Sequence, residues 1–213
     1  MWKQSSEIKP STQYSQTLKY NIRFEQNMDK NALWKSFPEL ETPRLWLKKM
    51  SRKHANELME FWGDDEVTRY TDFNSFREIQ KIEKTINWVN NRFKDKYGIR
   101  WGIFLKENSK LIGTCGFNSW ITDRGNKSEI GYDLHRKYWR KGYMFESLYK
   151  MITYGFQEMK LHRIEADVDP NNMGSQKLLE KLHFTKEGCL RDNGYWKGQY
   201  WTTLIYGLLE KEF

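Results

Sequence analysis

At 213 residues the chain has room for one large domain, or one domain with an extension. Its hydrophobic share is only 38%, but 10 Trp, 12 Tyr and 12 Phe supply bulk for a core, because each ring buries much area. No apolar run approaches the ~20 residues of a membrane span, the polar start lacks the apolar stretch of a secretory signal, and neither Cys115 and Cys189 nor the four His show CxxC or metal-ligand spacing. A membrane protein, a disulfide scaffold and a zinc site are therefore disfavoured. Two buried, reduced thiols in a cytoplasmic protein are expected. The net charge of +8 suits polyanionic partners such as cofactor phosphates, ribosomal RNA or acidic protein surfaces, although an ordinary solvated surface accounts for most of it.

Residues 1–37 are rich in Ser, Gln, Asn and Lys with scattered aromatics (Trp2, Tyr14, Tyr20, Phe24, Trp34), and are assigned to an N-terminal extension, either packed or mobile. The main domain is placed at 38–213. Arg44 to Lys48 alternates as a first strand. Ser51 is a cap for a helix ending near Trp62. Ser75 and Glu78 form a capping-box pattern before a long helix whose apolar positions Phe76, Ile79, Ile82, Ile86, Val89 and Phe93 recur at helical spacing. Ile99 to Leu105 and Leu111 to Asn118 are strands about the turn Glu107-Asn108-Ser109-Lys110, and Lys127 to Leu134 is the next strand. A helix follows Gly142 to about Glu158, then a strand from Arg163 to Val168, a helix after Asp169-Pro170-Asn171-Asn172, and a closing hairpin, Gly188 to Tyr195 and Tyr200 to Leu209, about Lys197-Gly198. This order predicts an α/β domain on a mixed, largely antiparallel sheet.

The richest segment is Tyr138-Trp139-Arg140-Lys141-Gly142-Tyr143-Met144, between the strand ending at Leu134 and a helix. A basic, glycine-containing turn at a helix start presents unpaired N–H groups and the positive end of the helix dipole, which together bind phosphate. A tight turn with a solvated basic pair is the plainer alternative.

Four segments in register resemble the GNAT N-acetyltransferases of the RimJ/RimL type, which acetylate N-terminal amines of ribosomal proteins. They are Leu111 to Phe117; Glu129 to Tyr132 with Tyr138 to Met144; His162 to Ala166 with Asp169 to Asn172 and Ser175; and Leu178 to Phe184 with Glu187-Gly188. The likeness runs from about Leu40 to Leu209. It implies the GNAT fold, with about seven strands and about four helices. It also departs from the family pattern. Trp139 and Met144 stand at the first and last places of the loop usually written Gln/Arg-x-x-Gly-x-Gly/Ala, His183 replaces a usual Gly before Phe184, and Thr202 replaces an Asp of many relatives.

The resemblance implies acetyl-CoA as co-substrate and no metal. Backbone N–H groups around Trp139, Arg140, Lys141, Gly142, Tyr143 and Met144 would cradle its diphosphate, with Tyr143 also packing. The main chain of Tyr132 and Leu134 would pair with the pantetheine arm as an added strand, and Asn172 would lie near that arm unless it serves only as a helix cap. Glu129 is the first candidate base and Asp167 the second. Ser175 would protonate the departing thiolate. Asp64, Asp65 and Glu66 are weighed as ammonium ligands against helix-end solvation. Tyr195, Trp196, Tyr200 and Trp201 are weighed as an acceptor wall or RNA-stacking surface against packing. Expected partners are an amine acceptor (a protein N-terminus, such as that of a ribosomal protein, or a small amine) and no membrane, with a homodimer left open. A non-catalytic CoA-binding or RNA-binding module is the competing class.

Overall fold

Antiparallel pairing begins where the sequence first alternates. In a computed structural model, which describes residues 33–213 apart from Arg124, β2 (Leu45–Lys48) buries Leu45 and Leu47 and turns Trp46 and Lys48 the other way. A two-residue strand, β1 (Leu40–Glu41), pairs with its outer edge. Then come α1 (Ala55–Trp62), α2 (Asp65–Thr68), α3 (Ile79–Lys94), β3 (Ile99–Leu105), β4 (Leu111–Phe117), β5 (Lys127–Leu134), α4 (Tyr143–Gln157), β6 (Arg163–Val168), α5 (Met173–Lys181), β7 (Thr185–Trp196) and β8 (Gln199–Leu209). One sheet of eight strands results, in the order β1-β2-β3-β4-β5-β6-β8-β7. Among the described strands only the β5–β6 pair is parallel.

The described residues thus hold one strand and one helix more than the expected seven and four. Both additions, β1 and α2, are too short to carry a periodic signal. The expected capping box at Ser75 does not form. Helix α3 starts at Ile79 with Glu78 as its N-cap and no side-chain cap bond, because the Ser75 hydroxyl is already engaged by Thr68 Oγ1 at 2.6 Å and by the Asp65 carboxylate. Ser51 opens a short 3₁₀ turn, its N–H donating to His54 Nδ1, and α1 follows only from Ala55. Cys115 is buried as expected, and burial pushes its thiol well up; Cys189, expected inside, is exposed on the outer strand β7.

Two apolar clusters sandwich the sheet. On one face α4 and α5 bury Leu148, Met151, Ile152, Leu179 and Leu182 against Ile112, Cys115, Phe117, Ile130 and Ile164. On the other, α1 and α3 bury Leu58, Phe61, Ile82 and Ile86 against Phe104 and Leu111. Each such aliphatic side chain contributes about 1.5–3 kcal/mol by leaving water. Trp34 and Phe37 rest on Phe93, at 5.0 Å between ring centroids in both cases, so the described end of the expected extension packs onto the domain. Residues 1–32, including Trp2, Tyr14, Tyr20 and Phe24, lie outside the described residues.

Candidate active site

The parallel pair that holds the sheet together also opens it. β5 and β6 are in register only at Lys127–Arg163, Ser128–Ile164 and Glu129–Glu165. Beyond Glu129 β5 continues along β4 while β6 continues along β8, and the two strands part. Asn118 N donates to Glu129 O, and His135 N to Ile112 O, so the odd-numbered residues of β5 face β4 with their main-chain groups. The alternate groups face β6, and those of Tyr132 and Leu134, beyond the paired stretch, face the gap. Leu134 O accepts from Trp139 Nε1 at 2.6 Å, and its N–H still faces the gap.

At the end of β5 the chain turns into α4. Arg140 (φ 59) and Gly142 (φ 79) both adopt left-handed backbone, and Gly142 is the N-cap of α4 with no capping side chain. The first intrahelical donor is Glu146 N, to Gly142 O, so the N–H groups ahead of it at the helix mouth lack helical partners. Arg140 and Lys141 are exposed there, whereas the Met144 side chain is buried in the core, which leaves Met144 only its main chain to offer. The loop is braced by a residue that sequence reasoning placed merely in the first strand. Arg44 donates from Nε to Glu146 Oε2 (2.6 Å) and from Nη1 to Lys141 O (3.0 Å), and its guanidinium lies 4.3 Å over the Tyr143 ring. Glu146 Oε1 in turn accepts from Thr42 Oγ1 and Arg44 N.

Alternation of side chains divides β5 between two environments. Toward α4 and α5, Tyr132 reaches Ser175, with 2.6 Å between Oη and Oγ. Burial pushes the Tyr132 phenol far up, so it stays protonated and can donate. Asn172 is the N-cap of α5, its Oδ1 accepting from Ser175 N at 3.1 Å, so the capping role is realised and only its Nδ2 remains for another contact. Toward α1 and α3 stand Glu129, Gly131 and Asp133. Glu129 Oε1 accepts from Asn118 Nδ2 at 3.1 Å. Burial raises the Glu129 pKa, Asn118 lowers it, and the negative charges of Asp167, Asp72 and Glu165 raise it further. Asp167, on the same face of β6, stays accessible to solvent, with its carboxyl pushed up by desolvation and by Glu165. Glu165 itself is neutralised by Lys127 and Arg163.

The structure brings Glu129 and Asp167 together beside the gap on one face, and Tyr132, Ser175 and Asn172 on the other. It gives the weighed ammonium ligands other work. Asp64 caps α2 and pairs with Arg136 Nε at 2.9 Å, Asp65 pairs with Arg77 at 2.6 Å, and Glu66 pairs with Arg69. Beyond them, Lys197 in the β7–β8 turn donates to Thr68 O (2.6 Å) and Arg69 O, tying the hairpin to α2 beside a cleft of about 330 Å³ lined by Asp65, Thr68, Asn74, Ser75, Arg77 and Lys197. Trp196 and Trp201 stack on each other at 5.5 Å, while Tyr195 and Tyr200 are exposed. Among the described residues no group of His, Cys, Asp and Glu is placed to hold a metal, and no helix is long and apolar enough to cross a membrane.

Residues 44–185 match the family model described as an acetyltransferase (GNAT) domain. The chain is 41% identical to N-acetyltransferase p20 of Bacillus licheniformis, over 82% of this chain and 97% of that protein. It is 30% identical to the ribosomal protein uS5-alanine N-acetyltransferase of Escherichia coli, over 56% of this chain and 63% of that protein. Its fold matches that of RimL, a ribosomal L7/L12 alpha-N-protein acetyltransferase solved in complex with coenzyme A, with a TM-score of 0.73 at 19% identity, over 81% of this chain and 98% of that one. With its strand order, its parted β5–β6 pair and a family match over most of its length, the chain belongs to the GNAT family of N-acetyltransferases.

Proposed function

We propose that this N-acetyltransferase takes its acetyl group from acetyl-CoA and passes it directly to a primary amine, with a protein N-terminal amine as the acceptor. The observation that carries the reading is the parting of β5 from β6 beyond Glu129, with the main-chain groups of Tyr132 and the N–H of Leu134 facing the gap and open helical N–H groups at its end. A diphosphate suits the mouth of α4, where the main chain from Trp139 through Arg140, Lys141, Gly142 and Tyr143 to Met144 carries two exposed basic residues. The pantetheine arm suits the edge at Tyr132 and Leu134, as an added strand would, with Asn172 Nδ2 at hand. RimL, of like fold, is known bound to coenzyme A. We assign the activity to residues 38–213 and a cytoplasmic setting, with 1–37 as an extension.

The two faces of β5 divide the proton work. On the α1/α3 side, Glu129 accepts a proton from the acceptor ammonium, through water, and frees the lone pair that attacks the thioester carbonyl. The new C–N bond forms as the C–S bond breaks. On the α4/α5 side, Ser175, hydrogen-bonded to the protonated Tyr132, passes a proton to the leaving sulfur, and the second proton shed by the new amide nitrogen restores the one Ser175 gives up. Asp167, more exposed than Glu129, is the alternative base.

The protein N-terminus is supported by the uS5-alanine acetyltransferase relative. A small polyamine is the second reading, favoured by the negative charges of Asp72 and Asp167 around Glu129. Thiol release from acetyl-CoA, measured with N-terminal peptides of ribosomal proteins and with spermidine and amino acids, tests both. Turnover with a peptide and not with free amines is expected. Tight CoA binding with no thiol released by any amine would defeat the catalytic reading.

A further inference from the structure

We propose that Asn118, locked by Arg100 above the bare face of Gly131, is a positioning residue that holds the Glu129 carboxylate in its working orientation. The inference rests on the reading of Glu129 as the base and adds how that base is held.

Asn118 lies just past the end of β4, and each of its polar groups is engaged. Its N–H donates to Glu129 O at 2.7 Å, and its carbonyl accepts from the Arg92 guanidinium of α3. Its side-chain Oδ1 accepts from Arg100 Nη1 at 3.2 Å, which turns the Nδ2 end toward Glu129 Oε1 at 3.1 Å. An amide that accepts at one end and donates at the other has a single orientation here, because a flip would set two donors face to face at Arg100 and two acceptors at Glu129. Arg100 is fixed in turn by Thr114 Oγ1 (3.0 Å) and Asp133 Oδ2 (3.0 Å), and Thr114 Oγ1 also donates to Asp133 Oδ2 at 2.8 Å. The network therefore runs from β3 through β4 to β5 and ends on one oxygen of Glu129. Among the described residues the other oxygen, Oε2, has no hydrogen-bond partner, which leaves it for the acceptor amine or its water.

Gly131 supplies an independent observation. A Cβ at this position would lie 2.8 Å from Asn118 Nδ2, 3.0 Å from its Oδ1 and 3.3 Å from Arg100 Nη1. The glycine, two residues after Glu129 on the same face, is the space the amide occupies. The charged groups around Glu129 are Asp167 and Glu165 on β6, Asp72 between α2 and α3, Asp133 on β5, Arg100 on β3 and Arg92 on α3. Asp167, Asp72 and Glu165 disfavour its ionised form. Arg100 acts on it through Asn118.

The test is the pH profile of kcat/KM for the full chain and for Asn118→Ala, Asn118→Asp and Gly131→Ala, with Glu129→Gln as control. A base must be ionised, so the rate falls as pH drops through its pKa, and loss of the amide donor moves that acid limb to higher pH. Asn118→Ala is expected to cost about tenfold on the acid limb, the worth of one hydrogen bond to a charged group, and far less at alkaline pH. Asn118→Asp keeps an acceptor for Arg100 and so keeps the fold, but sets a second carboxylate against Glu129 and moves the limb further. Gly131→Ala shifts it in the same direction by displacing the amide. A limb that stays in place in the Asn118 variants, with activity lowered by one factor at every pH or not at all, overturns the proposal while Glu129 stands as the base. Retention of the wild-type limb by Glu129→Gln brings down both.

Discussion

The two faces of β5 share eight residues of backbone and almost nothing else. Ile130, Tyr132 and Leu134 look toward α4 and α5, where the surroundings are apolar and the partners, Ser175 and the Gly142 loop, come from the next stretch of chain. Glu129, Gly131 and Asp133 look toward α1 and α3, onto a polar floor of Arg100, Thr114 and Asn118 drawn from earlier strands. In the proposed mechanism one strand separates two tasks of an acetyl transfer: holding the donor and its leaving sulfur on one side, and activating the acceptor on the other. The floor is costly where it is incomplete. Among the described residues Asp133 Oδ1 is buried without a hydrogen-bond partner, so the Arg100 ion pair and the Thr114 hydroxyl, both on Oδ2, must hold that carboxylate in place.

Disrupting one face while sparing the other tests this division. The largest effect is expected from Gly142→Trp, which abolishes acetyl-CoA binding in calorimetry. The position needs left-handed backbone, which costs another residue about 1–2 kcal/mol, and even a Cβ there meets Arg44 Nη2 at 3.3 Å. Glu129→Gln strikes the opposite face. Turnover falls by about 10²–10⁴-fold, the range for a lost general base, while acetyl-CoA affinity in the same calorimeter stays unchanged. Parallel losses of both would erase the division. Ser175→Ala lowers kcat by about a hundredfold with little change in cofactor affinity, and Tyr132→Phe gives a smaller loss, about tenfold, because it removes only the bond to Ser175. Both are read from steady-state kinetics. The smallest effect lies away from both faces. His183 holds left-handed backbone at φ 68, so His183→Gly raises the melting temperature through about 1 kcal/mol of relieved strain and leaves kcat untouched.

The same division explains what the sequence disclosed. The β5 strand, the Gly142 turn, α4, β6 and the closing hairpin were all legible, because periodicity and a glycine at a turn are local signals. At His183, where the family usually has Gly, the chain keeps the left-handed backbone that glycine favours. Helix α2 was not legible, being a single turn held by the Asp64 cap. Ser75 misled for a related reason. Its hydroxyl finds Thr68 and Asp65 rather than the start of α3, a tertiary choice that no capping pattern encodes. The contacts of Arg44 and Asn118 were not legible because their partners lie far along the chain: Lys141 and Glu146 for the first, Arg100 and Glu129 for the second. Tyr132 was read for its main chain alone, and its hydroxyl turned out to reach Ser175.

The central claim, that the coenzyme enters between β5 and β6 with its diphosphate at the mouth of α4, is tested most directly by a crystal structure of the complex with coenzyme A. The account predicts phosphate oxygens on the main-chain N–H groups from Arg140 to Met144 and a pantetheine arm running beside Tyr132 and Leu134. A diphosphate bound anywhere else on the protein, with that loop left bare, would contradict it.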